Sequence, residues 1–408
     1  MTKGIIFLAG ILMITGCGRV SNPTPPQPDP RPIIHWSGRT VNSTEGFSSQ
    51  IIYCTGNISI ESGGSLTLAN TGLYISNEAN TRYGIYVNPG GSLYIKSQSV
   101  IAAYNSAEGY PFWYKSGSSG NITSSTIESA WTGDLSGKSQ FNEAGIFIEA
   151  DDFGISQSVV KEVKGNGIET LGANGFSAED TKFINNGANG LLVRNSNNIE
   201  VSGCTLSNNG TDTSRTDGCG LIFLVSNGTI ESNTVENNRF TGIEGSGEMS
   251  FNINNNQVNN NGDFGIFLHD EFNTSSAVVH NNSIGSNALT SQIHAGLCIE
   301  GTIEVYAYDN LIKNNYIGVR VLNNSLVSTL ESNNISDNIT HGVHIDNANP
   351  IIHQNDLSGN NNGIWNDSSS NINAENNYWG YTTLAEIHAY NFNATGTIDV
   401  TPWLTSAP

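Results

Sequence analysis

Charge is scarce in this 408-residue chain: Asp, Glu, Lys and Arg make up 13% of it, against ~25% in an ordinary globular domain. Basic residues are the scarcer kind. Lys and Arg number 16 against 36 Asp and Glu, a formal net charge of −20. A surface of that sign repels nucleic acid and anionic lipid, which excludes both as direct electrostatic partners. It also repels a polyanionic glycan unless a divalent cation screens the contact. None of the 5 cysteines forms a CxxC pair, so the usual spacing of a zinc site is missing. No segment before Thr383 carries an apolar stripe of helical period, which excludes a helical bundle. Glycine, in contrast, is plentiful at 45, and Asn and Ser are conspicuous.

The N-terminal apolar run "GIIFLAGILMITG" (Gly4 to Gly16) is too short for a comfortable membrane span. Preceded by Lys3 and ending in "ITGC", it resembles a bacterial lipoprotein leader with its cleavage box. The resemblance implies removal of residues 1–16 and a diacylglycerol thioether on Cys17. Acyl chains contribute ~0.8 kcal/mol per buried CH₂, and two or more hold a protein stably on a bilayer. Gly18 in place of Asp points to the outer membrane or cell surface. Residues 17–35 then form a lipidated linker, whose "SNPTPPQPDPRP" is too rich in proline for helix or sheet. Residues 36–408 remain as one folded domain. Export permits disulfides, and Cys204–Cys219 is a candidate bridge across an insertion. The alternative is that Cys54, Cys204, Cys219 and Cys298 are small buried apolar residues.

The folded part repeats itself. A glycine followed by Ile, Leu or Val opens a short alternating segment at Gly145, Gly167, Gly190, Gly220, Gly242, Gly265, Gly296, Gly318, Gly342 and Gly363. The intervals are 21 to 24 residues, except for two of 30 and 31. Between the glycines lie Asn-rich sentences such as "NIEVSGCTLSNNG" (Asn198 to Gly210). Alternation of period two within a unit of about 22 residues predicts a β-solenoid with two inserted loops. Stacked coils bring equivalent residues ~4.8 Å apart, so inward Ile, Leu and Val form columns. Corner asparagines form ladders, and Asn and Gly tolerate the left-handed backbone of sharp corners. "GGSL" at Gly63 and Gly90 marks longer coils near the start.

These units, with the ending "NNYWGYTTLAEIHAY" (Asn376 to Tyr390), resemble the right-handed parallel β-helix repeat proteins, the pectate-lyase-like superfamily. The resemblance implies an all-β fold: a single-stranded right-handed parallel β-helix over about residues 36 to 406. It would have an N-terminal cap at Trp36 to Thr55. The short helix Thr383 to Tyr390, with Trp379 and Trp403, would seal the other end. Fold alone does not imply activity on such a scaffold. "FGIFLHD" (Phe264 to Asp270) resembles the mannuronan epimerase motif at His269 and Asp270, but Phe264 and Phe267 replace its tyrosine and first aspartate. The segments of polygalacturonase-type hydrolases are missing. The ending is also similar to a nitrous-oxide reductase accessory protein, yet 3 methionines and dispersed His do not supply the soft ligands of copper delivery.

Within each glycine-led strand, offsets +1 and +3 point inward and +2 and +4 outward. Glu244, His269, Asp270, Glu300, Arg320, His344 and Asp346 are thereby expected on one face across five coils, about 19 Å long. Arg320, His344 and His269 are the candidate catalytic groups, and Glu244, Asp270, Glu300 and Asp346 the candidate substrate-binding ones. Tyr110, Trp113 and Tyr114, in an aromatic-rich stretch, form a candidate stacking platform for sugar. No cofactor is firmly implied; the run Glu149 to Asp152 is a candidate calcium site. The expectation is a monomeric, lipid-anchored protein that binds a polysaccharide or surface glycan without catalysis. The alternatives are a polysaccharide lyase or uronate epimerase acting on an acidic glycan, and an architectural surface spacer or adhesin.

Overall fold

The structure, a computed structural model, describes residues 29–77, 82–132, 144–289, 293–324, 326–393 and 396–408. The apolar leader, Cys17 and most of the Pro-rich linker lie outside them. Among the described residues no helix is long and apolar enough to cross a membrane.

The chain winds into a parallel β-solenoid of about 14 turns. Each coil contributes three short strands, for example Val159–Lys161, Asn166–Leu171 and Ser177–Glu179. Each pairs in parallel with its equivalent one coil on, here Lys182–Ile184, Leu191–Arg194 and Ile199–Ser202. Three ladders result: a front ladder of glycine-led strands, a side ladder and a back ladder. The back ladder is the 13-stranded sheet that starts at Ile33–Trp36. Front and side ladders merge into one 26-stranded sheet. They merge because Ile266–His280 and Ala295–Tyr308 run unbroken through the corner between them.

Inside, the +1 residues of the front ladder stack as a fully buried apolar column that includes Leu191, Leu221, Ile243, Ile266 and Leu297. Each such side chain contributes about 1.5–3 kcal/mol by leaving water. The front glycines serve this packing in a way the sequence reading did not anticipate. They are not in the left-handed region. A Cβ at Gly242 would lie 2.7 Å from the Gly265 carbonyl oxygen and 2.8 Å from Asn261 Nδ2. Glycine is there for lack of room.

The paired asparagines divide two tasks. The first of each pair takes the left-handed turn, as at Asn237, Asn255 and Asn260, each with φ 56°. The second buries its amide in a ladder. From Asn186 to Asn360, one per coil, Nδ2 of one residue donates to Oδ1 of the next at 2.9–3.3 Å. A second ladder runs from Asn233 to Asn377 at 2.9–3.0 Å. The two flank the back ladder and satisfy buried backbone groups that a tight corner would otherwise orphan.

Both ends are closed. The expected N-terminal cap is not a separate element: Ile33–Trp36, Arg39–Val41 and Thr44–Ser48 are already the first coil. Its end is covered by Trp36 and Phe47, packed edge to face at 5.0 Å, with the Arg39 guanidinium 5.2 Å from each ring. At the other end the helix Leu384–Tyr390 starts from a capping box between Thr383 and Glu386 and buries Ile387 and Tyr390. Trp379 is fully buried and Trp403 packs against the same core. Tyr390 Oη accepts from Asn360 N at 2.9 Å and donates to the Leu357 carbonyl at 2.9 Å, terminating the first Asn ladder. Cys54, Cys204, Cys219 and Cys298 are free and buried, the second of the two states considered above.

Candidate functional site

Register places the outward front residues over one another as the repeat demands. Glu244 pairs with Phe267, Phe267 with Cys298, Cys298 with Arg320, Arg320 with His344, and His344 with Trp365. Two residues along, Ser246 pairs with His269, His269 with Glu300, and Leu322 with Asp346. The strand after the helix adds Phe392 beyond Trp365.

This face has a closed and an open half. In the upstream coils Phe147, Glu169 and Leu192 point outward but are buried. Glu169 is 0% exposed, ion-paired with Arg194, and accepts from Asn166 Nδ2 at 3.2 Å. Burial pushes its carboxyl up to about 7, against the opposing pull of Arg194 and Asn166. From Ile222 onward the outward groups reach solvent, Cys298 excepted. There His269 stacks on Phe267 at 4.5 Å, with Nε2 3.4 Å from Glu244 Oε1 and Nδ1 3.4 Å from Ser246 Oγ. Beside it a hollow of about 300 Å³ is lined by His269, Asp270, Glu271, Glu300, Gly301 and Asn323, at the corner where the two long strands pass through. Further along, His344 Nε2 lies 3.0 Å from Asp367 Oδ2, and Trp365 stacks on Phe392 at 4.0 Å. His341, packed 4.8 Å from Trp365, is held down to about 4 by burial and then by neighbouring His344.

The two insertions behave differently. Residues 210–218 fold over the corner between back and front ladders: Thr211 N and Asp212 N donate at 3.1 Å to the carbonyls of Asn186 and Gly187. Arg239 straps this loop through the carbonyls of Asp212, Thr213 and Arg215 at 3.0–3.2 Å. At the end of the second insertion, Ile293 and His294 lie against the open face. The Ile293 carbonyl accepts from Arg320 Nη1 at 2.6 Å, and His294 lies 3.3 Å from Asp263 and 4.6 Å from the Phe264 ring. Burial raises the Asp263 carboxyl and lowers the His294 imidazole, each partly opposed by the other.

Three expected site residues are not on the face. Asp270 is buried at the corner and accepts from the Ser275 hydroxyl. At offset +5 the strand alternation itself turns it inward. Tyr110 and Tyr114 are fully buried, with their hydroxyls donating to the Ile101 and Leu93 carbonyls at 3.0 and 3.3 Å. Of that aromatic stretch, Trp113 faces outward in the front column, its indole N–H donating to Glu149 Oε2 at 2.8 Å. The run Glu149 to Asp152 is divided in the same way: Asp151 accepts from Asn174 N at 2.9 Å in a corner, away from Glu149. Among the described residues no group of His, Cys, Asp and Glu is arranged to hold a metal ion. The sequence reading passed over Trp365, Phe392, Asp263, His294 and the Glu169–Arg194 pair. Trp365 and Glu169 were legible from the column spacing; Phe392 follows the helix and carries no glycine-led motif, and Asp263 and His294 sit in corners.

An acid–base role needs a nitrogen or oxygen open toward substrate. His344 has Nε2 on Asp367, and its Nδ1 is buried with no hydrogen-bond partner among the described residues. Arg320 is held by the Ile293 carbonyl, and its Nε is likewise buried. The groups of the open half are strung along successive coils. That arrangement suits contact with an extended chain better than chemistry at one point.

Residues 144–311 match the family described as "Right handed beta helix region". No curated protein matches. Among solved structures, a mutant of the periplasmic alginate epimerase AlgG aligns at 16% identity with a TM-score of 0.50, over 88% of this chain and 78% of its own. The unmutated AlgG gives 17%, 0.47, 88% and 76%, and the A-module of the Azotobacter vinelandii mannuronan C-5 epimerase AlgE4 gives 14%, 0.39, 83% and 91%. At these identities the likeness is one of fold. The stacked three-strand coils give this chain the fold of a right-handed parallel β-helix.

Proposed function

We propose that the protein is an exported glycan-binding protein, lipid-anchored through Cys17, which holds a polysaccharide chain along the open half of its front ladder without transforming it. The observation that carries this reading is the in-register run Glu244, Phe267, Arg320, His344, Trp365 and Phe392. It offers hydrogen-bonding groups and aromatic rings at steps of ~4.8 Å, the means by which extended sugars are held. Ile293, whose carbonyl accepts from Arg320, borders one side of it. AlgG, which shares the fold, is an alginate epimerase, so the scaffold is compatible with a polysaccharide ligand. The acyl anchor and the Pro-rich stalk would lift the solenoid off the membrane.

A glycan array probed with the protein and with Trp365→Ala tests the reading. Retention of at least one polysaccharide is expected, weakened by the substitution. Retention of none would leave only an architectural spacer. The mass of the N-terminal peptide from a bacterial host tests the anchor: an unmodified Cys17 refutes it. One observation favours catalysis as a second reading, the contact of His269 with Glu244 at 3.4 Å. A lyase would produce ultraviolet absorbance from an unsaturated uronate, and His269→Ala would abolish it.

A further inference from the structure

We infer that the corner between the front and side ladders at Val225 is a subsite for an N-acetylated sugar unit of the held chain; this rests on the glycan-binding reading above. The first residue after each of several front strands turns the chain through a left-handed corner. In successive coils it is Gly172, Asn195, Val225 and Gly247, and further on Asn323 and Asn347, with φ between 48° and 73°. Asn195 N donates to the Leu224 carbonyl and Val225 N to the Ser246 carbonyl, so these turns lie over one another. Glycine and asparagine tolerate such a backbone. Valine does not, and among the described residues Val225 is the only β-branched one with positive φ. A β-branched side chain there is a genuine outlier, costing about 5- to 30-fold in the ratio of folded to unfolded protein.

Burial does not offset that strain, because Val225 is 48% exposed. Gly247 in the next coil leaves it so: a Cβ there would stand 3.0 Å from Val225 Cγ2. Strain kept without a packing gain points to a role in contact with something else. Val225 lines a hollow of about 360 Å³, together with Asn195, Asn197, Asn227, Glu248 and Ser250. That volume falls within the range of small-molecule sites, about 300–1,000 Å³. The hollow spans three coils, two steps of ~4.8 Å, at the edge of the front face next to Leu224 and Ser246.

The lining selects the ligand. It holds no Lys, Arg or His, and Glu248 is exposed, so a sugar carboxylate or sulfate finds no counter-charge there. Met249, which also lines the hollow, is buried, and the Val225 isopropyl is its exposed apolar group. The Asn197 and Asn227 side chains are bonded to each other, while the Asn195 amide is exposed. An acetamido group matches this pairing of apolar and amide surface. Its methyl covers the valine, and its N–H and C=O meet an asparagine amide, which carries both a donor and an acceptor. A bare hydroxyl in the same place would leave the valine in water.

Calorimetric titration of the full protein compares hexamers of N-acetylglucosamine and of glucose joined by the same linkage. The acetylated hexamer should bind about tenfold or more tighter, from one covered methyl and one net hydrogen bond. Val225→Asn puts at this corner the residue its neighbours carry. It should raise the urea midpoint and yet reduce the preference about fourfold. A valine kept for packing would give the opposite sign in urea. Asn195→Gly keeps the left-handed turn, so it should leave the midpoint nearly unchanged while reducing the preference about two- to tenfold. Equal affinity for the two hexamers, a preference that survives both substitutions, or a Val225→Asn variant no more stable than wild type overturns the assignment while leaving a glycan site in place. Silence of both hexamers overturns it as well when the glycan array retains another polysaccharide. Silence together with an empty array sinks the glycan-binding reading itself.

Discussion

Asn261→Ala should be among the more damaging single substitutions in the solenoid, although it removes only a small polar side chain. Asn261 Nδ2 donates to Asn287 Oδ1 at 3.0 Å and to the Val235 carbonyl at 3.1 Å. Its Oδ1 accepts from Asn238 N at 3.1 Å and from Asn238 Nδ2 at 3.0 Å. Alanine orphans the Asn238 backbone N–H and leaves Asn238 Nδ2 with only the Leu206 carbonyl, and Asn238 is buried, so water cannot replace the lost acceptor. An unsatisfied buried group costs about 1–3 kcal/mol, giving roughly 2–5 kcal/mol in all. The neighbouring Asn260 is exposed and sits at φ 56°, outside the ladder. Asn260→Ala should cost only the left-handed strain of about 1–2 kcal/mol, and Asn260→Gly almost nothing. Urea unfolding of the three variants measures this, with the m-value as a check that the unfolded state is unchanged. Combining Asn261→Ala with Asn238→Ala adds a sharper test. The double variant should be more stable than the sum of the singles predicts, by about 0.5–3 kcal/mol, because the Asn238 side-chain amide that loses its acceptor in one change is removed by the other, while the backbone N–H of residue 238 stays unpaired in both. If Asn261→Ala lies within about 0.5 kcal/mol of wild type, or if the two changes are additive, the ladder is not what holds the corner.

Other consequences follow from particular contacts. Gly242→Ala places a methyl 2.7 Å from the Gly265 carbonyl oxygen, so it should destabilise by about 1–3 kcal/mol through overpacking; a melting temperature equal to wild type would refute the steric account of the front glycines. Glu169 is held up at about 7 from an ordinary 4.5. The folded state therefore binds more protons than the unfolded one between these values, and stability falls as pH rises through that window, by about 3 kcal/mol. Glu169→Gln should flatten the fall of melting temperature between pH 5 and 8, and an unchanged slope would show that another group is responsible.

The period of the glycine-led motif and the doubling of asparagine were enough to derive coils, their stacking order and the outward columns. These are consequences of local geometry repeated at a fixed interval. Side chains on a strand alternate, and equivalent positions in a solenoid must superimpose, so Glu244, His269, Arg320 and His344 could be placed on one face with no knowledge of distance. The same rule, applied strictly, turns Asp270 and Tyr114 inward. They were misplaced where motif resemblance or aromatic density was allowed to override parity.

What the sequence alone could not determine is which outward groups remain open and what their polar atoms face. Glu169 and His269 occupy equivalent outward surfaces, yet one is buried against Arg194 and the other borders an open hollow. The Arg320 guanidinium, free to act as far as the sequence shows, is held by a loop carbonyl, and His344 is engaged by an aspartate one coil on. Phe392 joins the aromatic stack because the terminal helix turns the chain back onto the front ladder. Such features depend on segments distant in sequence meeting in three dimensions, whereas the repeat depends only on each coil resembling the next.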